Sequence, residues 1–371
     1  ISYIDESIDK PYLDLVKSIA IHPSLEKKIN IVFTPLHGTA GYLGNRLLKE
    51  TGYNVNPVEE QMIPDPNFST VKLPNPEEKS AFELAIKKAK ELNSDLVIAT
   101  DPDADRLGIA VKHRDDYIFL NGNQTGALLI YYILSEKQKL NLLPKKGVVF
   151  NTIVTSDLGA KIARSFNMDV ISTLTGFKFI GEQARYLEED EREFVFGYEE
   201  SYGYVINDSV RDKDSLQAIL MISEASNYYL VKENKTLFDK LQDIYKLYGY
   251  YLEGLENVHL LGKTGQERIE RIMKEFRENP PREVNKLKVV KIEDYLLSIR
   301  YVSDKLEDIS LDKSNVLKYF LNDESWFVLR PSGTEPKLKI YAGTISDSFK
   351  KAKEQVEELL KQVKQIVEKV E

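Results

Sequence analysis

The 371-residue sequence contains no cysteine. That excludes disulfides, thiolate metal ligands and a cysteine nucleophile, and it fits a reducing compartment such as the cytoplasm. Histidine is scarce, with only His22, His37, His113 and His259. No apolar run approaches the roughly 20 residues of a membrane-spanning helix, and the polar, acidic first residues do not read as a signal peptide, so no membrane partner is expected. The 19 Gly and 14 Pro are too few for a fibrous or low-complexity chain. Positive charge is in deficit: 51 Lys and Arg against 59 Asp and Glu leave a net charge of −8. General nucleic-acid binding relies on a surplus of cations, so no nucleic-acid partner is expected either.

What is present is a globular profile, 42% apolar and 30% charged, over a length that suits two or three domains. Two segments read as copies of one unit. Lys28–Thr34 is a β-branched run that feeds a helical pattern through a Gly-containing turn, and Lys146–Asn151 does the same through Thr155–Gly159. Asp95–Thr100 is a third such strand, after a helix expected from about Pro76 to Glu91. Strands alternating with helices imply mostly parallel sheets covered on both faces. After about Tyr250 the pattern changes. A charged helix is expected over 264–278, then strands at Leu287–Ile292, Leu296–Val302, Trp326–Leu329 and Leu338–Tyr341. A last helix is expected from an N-cap near Ser346, its apolar residues Phe349, Ala352, Val356, Leu359, Leu360, Val363 and Val367 forming one face. The fold expected is therefore two similar α/β domains with mostly parallel mixed sheets (1–137 and 138–258) and a smaller α+β C-terminal domain (259–371).

Four loops carry chemistry. Asp101-Pro102-Asp103-Ala104-Asp105-Arg106 directly follows a strand, where open α/β sheets bind ligands. Three carboxylates in five residues repel one another unless a cation sits among them, and their hard oxygens suit Mg²⁺ or Mn²⁺. An EF-hand would need Gly and Glu where Arg106 and Lys112 stand. Arg106 adds a planar donor suited to phosphate. Arg330-Pro331-Ser332-Gly333-Thr334 offers a guanidinium, two hydroxyls and accessible backbone N–H groups, a combination that can cradle a phosphate and is also ordinary turn chemistry. Gly197-Tyr198-Glu199-Glu200-Ser201-Tyr202-Gly203 has groups that can bind sugar hydroxyls, or it is a hairpin turn. Thr175-Gly176-Phe177-Lys178 and Arg211-Asp212-Lys213-Asp214 each set a cation among polar loop residues.

Taken together, in this order, the loops resemble those of the α-D-phosphohexomutase superfamily, and most closely its phosphoglucomutase branch. The resemblance makes Asp101, Asp103 and Asp105 the Mg²⁺ ligands and Arg106 a catalytic support for the reacting phosphoryl group. It gives Thr175, Gly176 and Lys178 to sugar-phosphate recognition, Glu199 and Ser201 to the sugar hydroxyls, and Lys213 to a substrate contact. Arg330, Ser332, Gly333 and Thr334 become the clamp on the non-reacting phosphate. Thr34-Pro35-Leu36-His37-Gly38 resembles the opening of the family's second domain. The implied reaction interconverts glucose 1-phosphate and glucose 6-phosphate through a phosphoserine and glucose 1,6-bisphosphate. The Thr-x-Ser-His-Asn-Pro type loop that carries that phosphoserine is not found in these 371 residues. The sequence also begins at Ile1, so the chain is expected to be a fragment holding the family's second to fourth domains, inactive alone. Asp214-Ser215 departs from the pattern where Gly often follows the Asp. Alternatives are a phosphomannomutase or phosphopentomutase of the same superfamily, a non-catalytic sugar-phosphate binding protein, and a metal-dependent phosphatase with an Asp nucleophile.

Overall fold

The computed structural model describes residues 4–260, 262–302, 305–332 and 336–370. The chain divides into two compact units, residues 1–244 and 245–371.

The first unit contains two mixed sheets built on one plan. In the first, β1 (Asn30–Thr34) lies between β2 (Asn54–Pro57) and β3 (Leu96–Thr100), parallel to both, and β4 (Leu107–His113) and β5 (Asp116–Leu120) extend it antiparallel. In the second, β6 (Gly147–Thr152) lies between β7 (Asp169–Thr173) and β8 (Glu193–Tyr198), again parallel to both, and β9 (Tyr204–Val205) follows antiparallel to β8. Every residue of β3 and β6 is buried, as continuous apolar strands covered on both faces should be. The duplication read from the two strand–turn–helix segments is therefore a real repeat of topology.

Two helices, Gly122–Lys139 and Ser215–Glu233, are buried along almost their whole length. They are apolar nearly all round rather than along one stripe, the pattern of core helices. Glu224, on the second of them, accepts the N–H groups of Ile21 (2.8 Å) and His22 (3.1 Å) and the Tyr132 hydroxyl (3.0 Å). That anchors the segment after the N-terminal helix Glu6–Ser18.

The second unit is an antiparallel sheet of β10 (Tyr250–His259), β11 (Glu283–Val284), β12 (Leu287–Asp294), β13 (Ile299–Val302), β14 (Lys305–Asp308), β15 (Leu317–Leu321), β16 (Trp326–Pro331) and β17 (Lys337–Ser346). Helices Gly262–Glu278 and Phe349–Glu368 pack through Ile269, Ile272, Met273, Phe276, Val356, Leu359, Val363 and Val367 onto Phe327, Leu329, Leu338 and Ile340. The smaller α+β domain is thus present.

Some element limits differ from expectation. The helix placed at Pro76–Glu91 is a turn at Asn75–Glu78, one 3₁₀ turn (Lys79–Phe82) and an α-helix from Glu83 to Leu92. Asn75 caps the turn by accepting the Glu77 N–H at 3.0 Å, an alternative to helix that Asn side chains commonly offer. The final helix is capped by Ser348, whose hydroxyl accepts the Lys351 N–H, because β17 runs on to Ser346. Phe349 is consequently exposed and does not join the buried face. Strands β2, β4, β5, β7, β8, β9, β10, β11, β14 and β15 are not among the expected ones; all four residues of β14 are exposed, so it carries no burial pattern to read.

Candidate active site

Four loops of the first unit, which follow β3, β7, β8 and β9, come together. The Asp101 loop leaves β3. The buried Asp101 accepts the backbone N–H groups of Asp105 (3.0 Å) and Arg106 (2.8 Å) on Oδ1, which curls the loop around its own first carboxylate. Ala104 sits at φ 61°, a left-handed conformation uncommon for a residue with a Cβ. It is held there because its N–H donates to Asp101 O (3.1 Å) and its carbonyl accepts the Ser215 N–H (3.1 Å). This curl brings one oxygen each of Asp101, Asp103 and Asp105 within 4.8 Å of one another. Burial pushes the Asp101 carboxyl up to about 7, and repulsion from Asp105 and Asp103 adds to the rise against the two N–H donors.

The loop after β8 lies against it. Arg106 and Gly203 form an antiparallel bridge, and the Leu107 N–H donates to Tyr202 O at 2.9 Å. Glu199 is buried and accepts the Gly176 N–H at 2.8 Å, so the Thr175–Lys178 loop joins the same place. Gly176 has φ 117° and starts the helix Phe177–Tyr186; a side chain there would be strained. Burial raises the Glu199 carboxyl above its usual range, opposed by the Gly176 N–H and by the charges of Lys213 and Arg106.

Lys213 closes the group. Its Nζ is 2.9 Å from Asp105 Oδ2 and 3.1 Å from Asp212 Oδ1, and it lies over the Phe177 ring at 5.5 Å. Burial would lower its pKa, but the two carboxylates outweigh burial and hold it above the ordinary lysine value. Asp214 caps the helix Ser215–Glu233 through the Leu216 N–H (2.9 Å) and receives the Tyr12 hydroxyl (2.9 Å), which fixes the position of Lys213.

The donor set fits a divalent cation. Asp105 Oδ1 is buried with no hydrogen-bond partner, an orphaned anionic oxygen that is costly unless something pairs with it. It stands with two further carboxylates in an all-oxygen cluster, the ligand type of Mg²⁺ rather than of softer metals.

The remaining expected residues are placed as follows. Thr175 and Ser201 are half-buried, whereas Lys178 is exposed with its Nζ over the Phe179 ring at 4.8 Å. In the second unit Arg330, the residue before the end of β16, lies opposite Lys339, and the Ser332 N–H donates to Lys337 O at 2.9 Å. Gly333 and Thr334 lie outside the described residues. Glu77, to which the sequence assigns no role, pairs with Arg106 Nη1, and the turn ending at Gly38, expected as the opening of a domain, also touches the metal loop: the next residue, Thr39, donates its N–H to Pro102 O at 2.8 Å. Asn75-Pro76-Glu77 forms a turn rather than the helix start expected at Pro76.

Glu200 was quoted in its loop without a role. Its carboxylate accepts the Thr152 (3.1 Å) and Thr155 (3.3 Å) hydroxyls at the end of β6. Burial, with repulsion from Glu199, pushes it up to about 7 despite those bonds. A carboxyl raised on folding favours the folded state below its unfolded pKa, and that contribution is lost as pH rises through the folded value. Glu200→Gln should therefore gain on the unmodified chain between pH 5 and pH 8, by on the order of 1–2 kcal/mol. Urea denaturation at the two pH values measures it, and a gap that does not change with pH would count against an ionised, buried Glu200.

Three segments match successive domains of one enzyme family. Residues 10–114 match phosphoglucomutase/phosphomannomutase alpha/beta/alpha domain II, residues 121–248 match domain III, and residues 269–362 match the C-terminal domain. The chain belongs to the phosphoglucomutase/phosphomannomutase family. A phosphoglucomutase of Staphylococcus aureus (strain MRSA252) is 44% identical over 326 residues, which are 86% of this chain and 58% of the relative. The chain thus spans little more than half the length of that relative. Among solved structures, the open form of parafusin (phosphoglucomutase) from Paramecium superposes with a TM-score of 0.66 at 18% identity, covering 97% of this chain and 61% of that one. The N-acetylphosphoglucosamine mutase of Aspergillus fumigatus, in complex with GlcNAc-6P and magnesium, has a TM-score of 0.55 at 13% identity, covering 96% and 66%. At these identities the two structures attest the family fold. Among the described residues no helix is long and apolar enough to cross a membrane.

Proposed function

We propose that this chain supplies the metal-binding, sugar-binding and distal phosphate-binding parts of a phosphohexomutase that interconverts glucose 1-phosphate and glucose 6-phosphate. The observation that carries the reading is the convergence of Asp101, Asp103, Asp105, Arg106, Glu199 and Lys213, from three loops spread between residues 101 and 213, around one acidic cluster. The resemblance to a phosphoglucomutase over most of the chain supports the choice of glucose.

Asp101, Asp103 and Asp105 would hold Mg²⁺, which when bound draws off charge from a transferring phosphoryl group. Arg106 would donate to the phosphoryl oxygens, and Lys213 would add positive charge beside them. Glu199 and Ser201 would accept from and donate to the sugar hydroxyls, with Thr175, Gly176 and Lys178 at the edge of the sugar phosphate. Arg330, Ser332, Gly333 and Thr334 would hold the phosphate that does not react. Such remote binding orients the reacting end. One clamp must serve both orientations of the sugar, because the bisphosphate donates from either end.

Calorimetric titration of the chain with glucose 1,6-bisphosphate in Mg²⁺ tests this. Binding is expected, and Arg330→Ala should weaken it by on the order of 2 kcal/mol, a typical loss for a charge-assisted pair. The same chain should show no mutase flux in a coupled assay, since the phosphoserine loop is not among its residues. Absence of bisphosphate binding would overturn the proposal.

A further inference from the structure

The proposed mechanism gives Arg106 to the phosphoryl group, yet in the structure this guanidinium is already engaged. Its Nη1 is hydrogen-bonded to Glu77 Oε1, while its Nε stands 3.7 Å from Asp101 Oδ2 and 3.8 Å from Asp105 Oδ1. The hydrogen-bonded partner is thus Glu77, and the two aspartates sit beyond hydrogen-bond length.

Glu77 is not a loose surface carboxylate that happens to reach an arginine. Its N–H is bound by Asn75 Oδ1 at 3.0 Å, and the next N–H, of Glu78, by Asn75 O at 3.0 Å. The preceding Pro76 is pressed onto β4 at Gly108, two residues after Arg106: a Cβ on Gly108 would stand 2.7 Å from Pro76 O and 2.8 Å from Pro76 Cβ. Glu77, Tyr202, Asn121 and Gln124 also line one small cavity of about 140 Å³. The turn and the strand that Arg106 leads into are therefore locked together, and Glu77 is delivered to the guanidinium by rigid backbone. Both side chains remain about a third exposed (34% each), so an incoming anion can reach the pair.

We propose that Glu77 is a positioning residue that restrains Arg106 as a resident counter-anion, so that a phosphate ester gains Arg106 only by competing with the Glu77 carboxylate. The proposal rests on the reading of this site as one for a phosphosugar. An arginine shared with a fixed carboxylate presents less net charge to a second anion than a free one does. Glu77 thereby sets how tightly the reacting phosphate is held in the ground state.

The test is calorimetric titration with glucose 1,6-bisphosphate, whose second phosphate reaches Arg106 while the first is held by the distal clamp, in Mg²⁺, of the unmodified chain, Glu77→Gln, Arg106→Gln and the double variant, with thermal melting of each as a folding check. Glu77→Gln should bind about fivefold more tightly, the scale of one partly exposed ion pair released. Glu77→Asp, whose shorter side chain draws back from Nη1, should fall between. In the Arg106→Gln background, Glu77→Gln should change affinity by less than about twofold, because the route through Arg106 is gone. A tightening that persists undiminished without Arg106 would make Glu77 a general repulsive charge and overturn the proposal. So would a Glu77→Gln variant that melts like the parent and binds equally or more weakly. Failure of the unmodified chain and every variant to bind glucose 1,6-bisphosphate would instead overturn the phosphosugar reading and this proposal with it.

Discussion

Asp101→Asn is expected to leave the metal loop folded while lowering its divalent-cation affinity about 100-fold or more, since a hard cation exchanges an anionic oxygen for a neutral amide. The two functions of this side chain can be separated because different properties carry them. Asp101 Oδ1 accepts the N–H groups of Asp105 (3.0 Å) and Arg106 (2.8 Å), and an amide oxygen can accept the same pair. The negative charge that would bind the ion is lost. Asp101→Ala should lose both, with a further stability penalty of about 1–3 kcal/mol for stranding the two loop donors. Electron paramagnetic resonance of added Mn²⁺ reads the affinity and urea denaturation reads the stability. An Asn variant that binds Mn²⁺ like the unmodified chain would remove Asp101 from the ligand set.

Gly38→Ala should destabilise the first unit by about 3 kcal/mol, the range of overpacking against atoms that cannot move aside. A Cβ at this position would lie 2.4 Å from Pro102 Cα, 2.6 Å from Pro102 O and 2.7 Å from Pro35 O, all of them backbone. The turn has no freedom to retreat. His37 is buried and bonded through Nδ1 to Ile63 O (2.8 Å) and through Nε2 to Thr70 Oγ1 (2.8 Å), and Leu36 and His37 are already at φ 48° and 66°. The strain would be relieved where Pro102 sits, between Asp101 and Asp103. Mn²⁺ affinity should therefore fall together with the denaturation midpoint, although Gly38 carries no ligand atom. A variant with an unchanged midpoint would show that the turn and the Asp101 loop are not in rigid contact.

Much of the fold was legible because buried strands and amphipathic helices are local patterns. Leu96–Thr100 and Gly147–Thr152 are apolar runs of strand length, and the helix face at Ala352, Val356, Leu359, Val363 and Val367 follows from three- and four-residue steps. Elements whose burial follows no simple period were harder to read. The exposed strand Lys305–Asp308 carries no apolar signal, and Tyr250–His259 is mostly part-buried along its length. The end of a strand and the start of a helix also blur where serines follow each other closely, so the final N-cap moved from Ser346 to Ser348.

The sequence alone determined that three carboxylates crowd one short loop behind a buried strand, because spacing within six residues leaves them nowhere else to go. It also determined the repeat of strand, turn and helix. Only the tertiary structure decided which donor each carboxylate meets: Lys213 with Asp105, Arg106 with Glu77, the Gly176 N–H with Glu199. Those pairings join residues 23 to 108 positions apart. Their geometry is set by how two sheets and two buried helices pack, and no local periodicity records that packing.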